Sequence, residues 1–164
     1  MDLKFTADEV YTMAQRIEVN GAKYYRKAAE RTNVATIREL FRNLANMEDD
    51  HLQTFSEMRN EIPEREKTSN VYDPNDESGG YLRTMANMHV FNISDDPSRR
   101  LTGDESLETI LKHAIQMEKD SIVFYLGMKT AVSSPKGKDR IDDIIEEEFG
   151  HIATLSDELR SLIE

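Results

Sequence analysis

Glu48-Asp49-Asp50-His51 and Glu148-Phe149-Gly150-His151 are one Glu-x-x-His pattern written twice, 100 residues apart. Working outward, Glu18 lies 30 residues before Glu48, and Glu118 lies 30 before Glu148. Tyr25 and Tyr125 follow those first glutamates by seven residues each. Four non-adjacent polar positions with one shared offset point to a duplicated unit. Carboxylates and imidazoles in mirrored sets point to two metal ions.

The flanking segments have the 3.6-residue periodicity of helices with one apolar face. The first is expected from about Thr6 to Arg31, opened by a Thr6-x-x-Glu9 capping box, with Val10, Met13, Ala14, Ile17, Gly21, Tyr24, Tyr25 and Ala28 on its inner face. The second runs from near Asn33 to about Asn60, with Phe41, Leu44, Ala45, Leu52 and Phe55 inward and Pro63 just past its end. The third starts near Glu105, where Thr102-x-x-Glu105 reads as its box, and carries Leu107, Ile110, Leu111, Ala114, Met117, Ile122 and Met128. Ser133-Ser134-Pro135 then turns the chain, with proline suited to a first helical position. The last helix presents Ile141, Ile144, Ile145, Ile152, Leu155 and Leu159.

Connection lengths set the topology. Tight turns join the first helix to the second and the third to the fourth, so each pair is antiparallel. The expected organisation is one domain, with a hairpin over 6–60, a polar crossover over 61–104 and a hairpin over 105–163. The crossover contains Gly79-Gly80, and a short helix is expected inside it from Tyr81 to Phe91. It is far longer than a bundle loop requires. Helices of this length are roughly 40 Å long, and such a connection can traverse them. An all-α four-helix bundle of two hairpins with one long crossover is the ferritin-like arrangement.

The same arithmetic brings the polar groups together. Glu18 lies 15 residues before Asn33 and Glu48 15 after it, while Ser133 stands midway between Glu118 and Glu148. Equal rise along antiparallel helices puts each pair of carboxylates at one height. Each also sits on its helix's apolar face, and three-residue spacing keeps His51 and His151 beside their glutamates. Four buried carboxylates are prohibitive if left charged and unpaired. Two divalent cations balance four glutamates, with neutral histidines completing the set. The candidate metal ligands are therefore Glu18, Glu48, His51, Glu118, Glu148 and His151. Oxygen and imidazole donors suit iron or manganese, and the lack of thiolate disfavours structural zinc.

This is the ligand set by which ferritin-like dimetal proteins are known. The chain resembles the rubrerythrin branch of that superfamily through Glu18, Glu48-x-x-His51, Glu118 and Glu148-x-x-His151. The resemblance implies two iron ions, with manganese as the alternative metal. It makes Glu48 and Glu148 bridging ligands, makes Glu18 and Glu118 terminal, and gives one histidine to each ion. It also implies a homodimer that reduces hydrogen peroxide or dioxygen, while the lack of cysteine, of a membrane span and of a signal-peptide pattern makes a cytoplasmic address the default expectation. Rubrerythrins usually carry a four-cysteine rubredoxin module, and there is no cysteine in these 164 residues. Electrons are then expected from a separate donor such as a rubredoxin. The family also places a further glutamate, tied to the shift of one iron in peroxide reduction, where this chain has Ser121. That departure leaves room for a ferroxidase or iron-handling role. A dimanganese catalase-like enzyme and a non-catalytic, metal-stabilised bundle are the remaining alternatives.

Other features read more plainly. Tyr25 and Tyr125 either hydrogen-bond a ligand carboxylate, supply an electron, or simply pack. Glu146 and Glu147 are expected to face solvent, His89 and His113 to be ordinary histidines, and the eight methionines to fill core. With 32 acidic against 21 basic residues and a net charge of −11, nucleic acid and anionic membranes are poor partners. No apolar run approaches a membrane span. The N-terminus, Met1-Asp2-Leu3-Lys4-Phe5-Thr6, does not read as a signal peptide.

Overall fold

Thr6 opens the first helix as the sequence pattern requires. Its hydroxyl accepts from Glu9 N–H at 3.2 Å, and the Glu9 carboxylate accepts from Thr6 N–H at 2.8 Å. The computed structural model describes residues 5–67 and 96–164. Within them α1 spans Ala7–Arg31, α2 Ala35–Asn60 and the single turn α3 Glu64–Lys67. A 3-10 turn over Pro97–Arg100 precedes α4, Leu107–Ala131, and α5, Pro135–Ile163. Pro135 occupies the first turn of α5, with Ser134 capping it, as expected. The helix expected over 81–91 lies outside the described residues.

Two helix starts differ from the reading above. α4 begins at Leu107, not near Glu105, and its cap is Ser106, whose hydroxyl accepts from Thr109 N–H at 3.2 Å. Thr102 donates to the Glu105 carboxylate through both its N–H and its hydroxyl, which is half of a box, and the pair closes the turn before the helix without starting it. α2 begins at Ala35, two residues after Asn33, behind Val34, which offers no side-chain cap.

The hairpins pair in a defined register. Tyr25 of α1 meets Glu118 of α4 and Tyr125 meets Glu18, so α1 and α4 run antiparallel. His51 of α2 meets Glu147 of α5 and Glu57 meets Arg140, so those helices are antiparallel too. The start of α4 therefore lies at the opposite end of the bundle from the end of α2. The connection must travel its whole length, which is the ferritin-like topology. Near the end of that path Leu101 is buried and Lys27 of α1 donates to the Ser98 carbonyl at 2.8 Å.

Hydrocarbon fills the bundle in two clusters, with Ile152 packed against both. One gathers Val10, Ile17, Phe55, Met58, Met128 and Ile141 among others. The other gathers Ala28, Phe41, Leu44, Leu111, Ala114 and Leu155. Glu18, Glu48, His51, Glu118, Glu148 and His151 occupy the level between them, each no more than 3% exposed. An acidic layer thus interrupts the core at mid-height. At the edges Arg59 forks onto Asp8 at 2.7 and 2.8 Å, and Arg140 of α5 reaches Glu57 of α2 at 3.0 Å.

Candidate metal centre

One ligand-bearing residue or pair comes from each long helix. Because each lies on an apolar face, packing those faces buries it with the others. The six candidate residues converge into two overlapping sets. Glu18, Glu48, His51 and Glu148 offer atoms all within 4.8 Å of one another, and so do Glu48, Glu118, Glu148 and His151. Glu48 and Glu148 belong to both. The imidazoles face this layer through Nδ1: His51 Nδ1 lies 3.3 Å from Glu148 Oε1 and 3.6 Å from Glu18 Oε2. His151 Nδ1 lies 2.8 Å from Glu148 Oε2 and 3.6 Å from both Glu48 Oε1 and Glu118 Oε1. The two rings stack at 5.8 Å.

These atoms are close but not hydrogen-bonded. Among the described residues, every buried side-chain nitrogen or oxygen without a hydrogen-bond partner belongs to this layer. The atoms are Glu18 Oε2, Glu48 Oε1, His51 Nδ1, both oxygens of Glu148 and both nitrogens of His151. Buried polar atoms are rarely left so. A pair of cations would satisfy them together, and the donor set fits iron or manganese.

The electrostatics agree. Burial, then the charges of Glu148, Glu118 and Glu18, hold the Glu48 carboxyl well above its ordinary range. Burial and the charge of Glu148 lift Glu118 to about 8. Burial works against Glu148 as well, but the two imidazoles facing it win and hold it at about 2. Burial would make both histidines harder to protonate. Glu148 and Glu18 outweigh it and push His51 up to about 11, while Glu118 and Glu148 take His151 to about 9. Without metal, protons supply the missing positive charge.

A pH dependence follows. The metal-free fold holds a proton on Glu118 between about 4.5 and about 8, and on His151 between about 6.5 and about 9, where the unfolded chain does not. Stability of the metal-free protein is therefore expected to fall as pH rises across that window. Melting curves of chelator-treated protein at pH 5.5 and 8.5 check this, and a higher midpoint at pH 8.5 would contradict it.

Tyr25 and Tyr125 are buried, and of the three readings of them two meet here: they pack, and they hydrogen-bond carboxylates of the acidic layer. The bonds cross between hairpins, Tyr25 donating to Glu118 and Tyr125 to Glu18. Burial first, then the facing carboxylate, keeps each phenol far above its usual value, so each remains a donor. Glu147 is exposed, as expected for a solvent-facing residue, and its Oε2 also lies 3.0 Å from His51 Nε2, a contact the sequence pattern does not contain. His113 stays outside the layer, half-buried against the Tyr24 ring and 3.0 Å from Arg100, and His89 lies outside the described residues.

Gly21 was read only as part of an apolar face, and it does more. A Cβ there would stand 2.8 Å from Glu48 Oε2. The carboxylate is the movable partner, so Gly21→Ala should displace Glu48 and spare the helix. Alanine gains roughly 0.5–1 kcal/mol over glycine in a helix interior. The expected result is a metal-free protein at least as stable as the original, with weakened metal binding. Calorimetric metal titration beside thermal melts checks it, and unchanged affinity would show that the contact is tolerated.

Four helices, one long crossover and an acidic layer with two imidazoles define a ferritin-like bundle of the dimetal-carboxylate class. The rubrerythrin family model matches residues 9–159, and the chain belongs to that family. It is also similar to a Thermotoga maritima protein, described as a ferritin-like diiron-carboxylate protein, whose crystal structure was solved at 2.30 Å. That similarity is 26% identity over 96% of each chain, with a TM-score of 0.76. A search among curated proteins found no match. No helix among the described residues is long and apolar enough to cross a membrane.

Proposed function

We propose that the chain is a non-haem di-iron oxidoreductase that reduces hydrogen peroxide or dioxygen with electrons from a separate donor protein. The observation that supports this most is the sharing of Glu48 and Glu148 between two carboxylate-imidazole sets. Glu18 and His51 would hold one ion and Glu118 and His151 the other, with Glu48 and Glu148 reaching both. When bound, two iron ions supply a pair of electrons at one place, which suits cleavage of an O–O bond.

The chain's own residues do the rest. Tyr25 and Tyr125 donate to the two terminal carboxylates and hold them in place from the opposite hairpin. The hydrophobic clusters above and below keep the layer out of bulk water. Gly21 leaves Glu48 the space its carboxylate occupies. This reading carries with it a cytoplasmic homodimer. Manganese shares the donor chemistry, so metal analysis is part of the test.

Ser121 favours a second reading. It is buried, and its hydroxyl turns back to the Met117 carbonyl at 3.0 Å, so no carboxylate stands at that point. A ferroxidase linked to dioxygen needs none there. Stopped-flow mixing of the ferrous protein with peroxide, and separately with oxygen, decides between them. Faster oxidation by peroxide supports the peroxidase and faster oxidation by oxygen the ferroxidase. If neither outpaces free iron in buffer, both readings fail.

A further inference from the structure

The two halves of the centre are related by a shared offset of 100 residues, yet the outer nitrogens of their histidines are treated differently. His51 Nε2 lies 3.0 Å from Glu147 Oε2. His151 Nε2 is equally buried and has no hydrogen-bond partner. The sequence holds the reason: the position equivalent to Glu147 in the first hairpin is 47, and it carries methionine. A thioether is at best a weak acceptor.

We infer that Glu147 is a positioning residue for His51, and that Met47 at the equivalent place leaves the two metal positions unequal. This rests on the reading of the acidic layer as a dimetal centre. A carboxylate accepts hydrogen bonds, so the contact places the ring proton of His51 on Nε2. When a metal ion displaces the other ring proton, the lone pair lies on Nδ1, the atom that faces Glu18 and Glu148. A carboxylate behind a ligating imidazole fixes its tautomer and orientation and makes it a better donor, and removing it typically costs about 10–100-fold in metal affinity. Glu147 does this from the surface, being 52% exposed while His51 is 3% exposed. His151 has no such support. The position served by Glu18 and His51 therefore fills first and holds its ion more tightly.

Cobalt(II) titration of the chelator-stripped protein, followed by its visible absorption, tests this. The unaltered protein should bind two ions in resolved steps, the first at least about tenfold tighter. Glu147→Ala should weaken that step by about 10–100-fold and leave the other within roughly twofold. Glu147→Gln keeps an acceptor oxygen and should restore most of the loss, and Met47→Glu should tighten the weaker step. A second readout does not depend on affinity. In nitrogen-15 spectra of the zinc-loaded protein, the His51 Nε2 proton should be protected from exchange and lose that protection in Glu147→Ala. Two equal steps in the unaltered protein, or a Glu147→Ala variant that loses neither step or both alike, would overturn the inference while leaving the dimetal centre standing. A protein that binds no cobalt would overturn both.

Discussion

Glu148→Ala is expected to empty both metal positions, because the residue it removes belongs to both sets of ligands. Glu118→Ala is expected to empty only one, since Glu118 belongs to the set with His151 alone. The difference separates a shared ligand from a terminal one without any assay of turnover. On the proposed loading of two irons per chain, iron should fall to none in the first variant and to one in the second. The loss for Glu148→Ala should exceed the roughly 10–100-fold that follows removal of an outer supporting residue. Oxidation of the ferrous form by peroxide or oxygen should drop to that of free iron. Circular dichroism guards against simple misfolding, and Glu148→Gln, nearly equal in shape, repeats the test with the cavity filled. Two irons bound to Glu148→Gln would remove Glu148 from any bridging role.

Metal removal is the second large effect. Seven buried polar atoms in the acidic layer have no hydrogen-bond partner, and cations would bind the folded chain far better than the unfolded one. At free metal about 100-fold above the dissociation constant, each ion adds roughly 2.7 kcal/mol. A chain of this size shifts by about 2–4 °C per kcal/mol. Two ions should therefore raise the melting midpoint by roughly 10–20 °C. Differential scanning calorimetry of loaded and stripped protein measures it. A midpoint that ignores metal would mean the layer is balanced by protons alone.

Most of the fold was legible because the chain states it twice. Equal distances from Glu18 and Glu48 to the first turn, and from Glu118 and Glu148 to the second, place four groups at one height with no knowledge of packing. Apolar neighbours then turn them inward, and burial of all six followed. What the spacing does not contain is the register between hairpins. The offset makes Tyr25 equivalent to Tyr125, but it does not say that each serves the glutamate of the other hairpin. The contact of Glu147, exposed as expected, is hidden for the same reason. On its own helix it is one residue off the inward face, and its partner, His51, stands on α2 of the first hairpin. The start of α4 failed on a different point. Thr102 and Glu105 satisfy the sequence pattern of a capping box, but only the Glu105 carboxylate accepts, and that half of the motif closes a turn just ahead of the true cap at Ser106.

The split of hydrocarbon into two clusters bears on how such a sequence can change over time. Because Leu111 and Met58 lie in different clusters with the acidic level between them, the interior at one end can be repacked with little demand on the other, Ile152 being packed against both. Well-separated substitutions combine additively, so each compartment can accumulate its own volume changes. The middle stratum has no such freedom: its members answer to one another and to Gly21. Drift should therefore show first at the extremities of the rod, with its waist changing last.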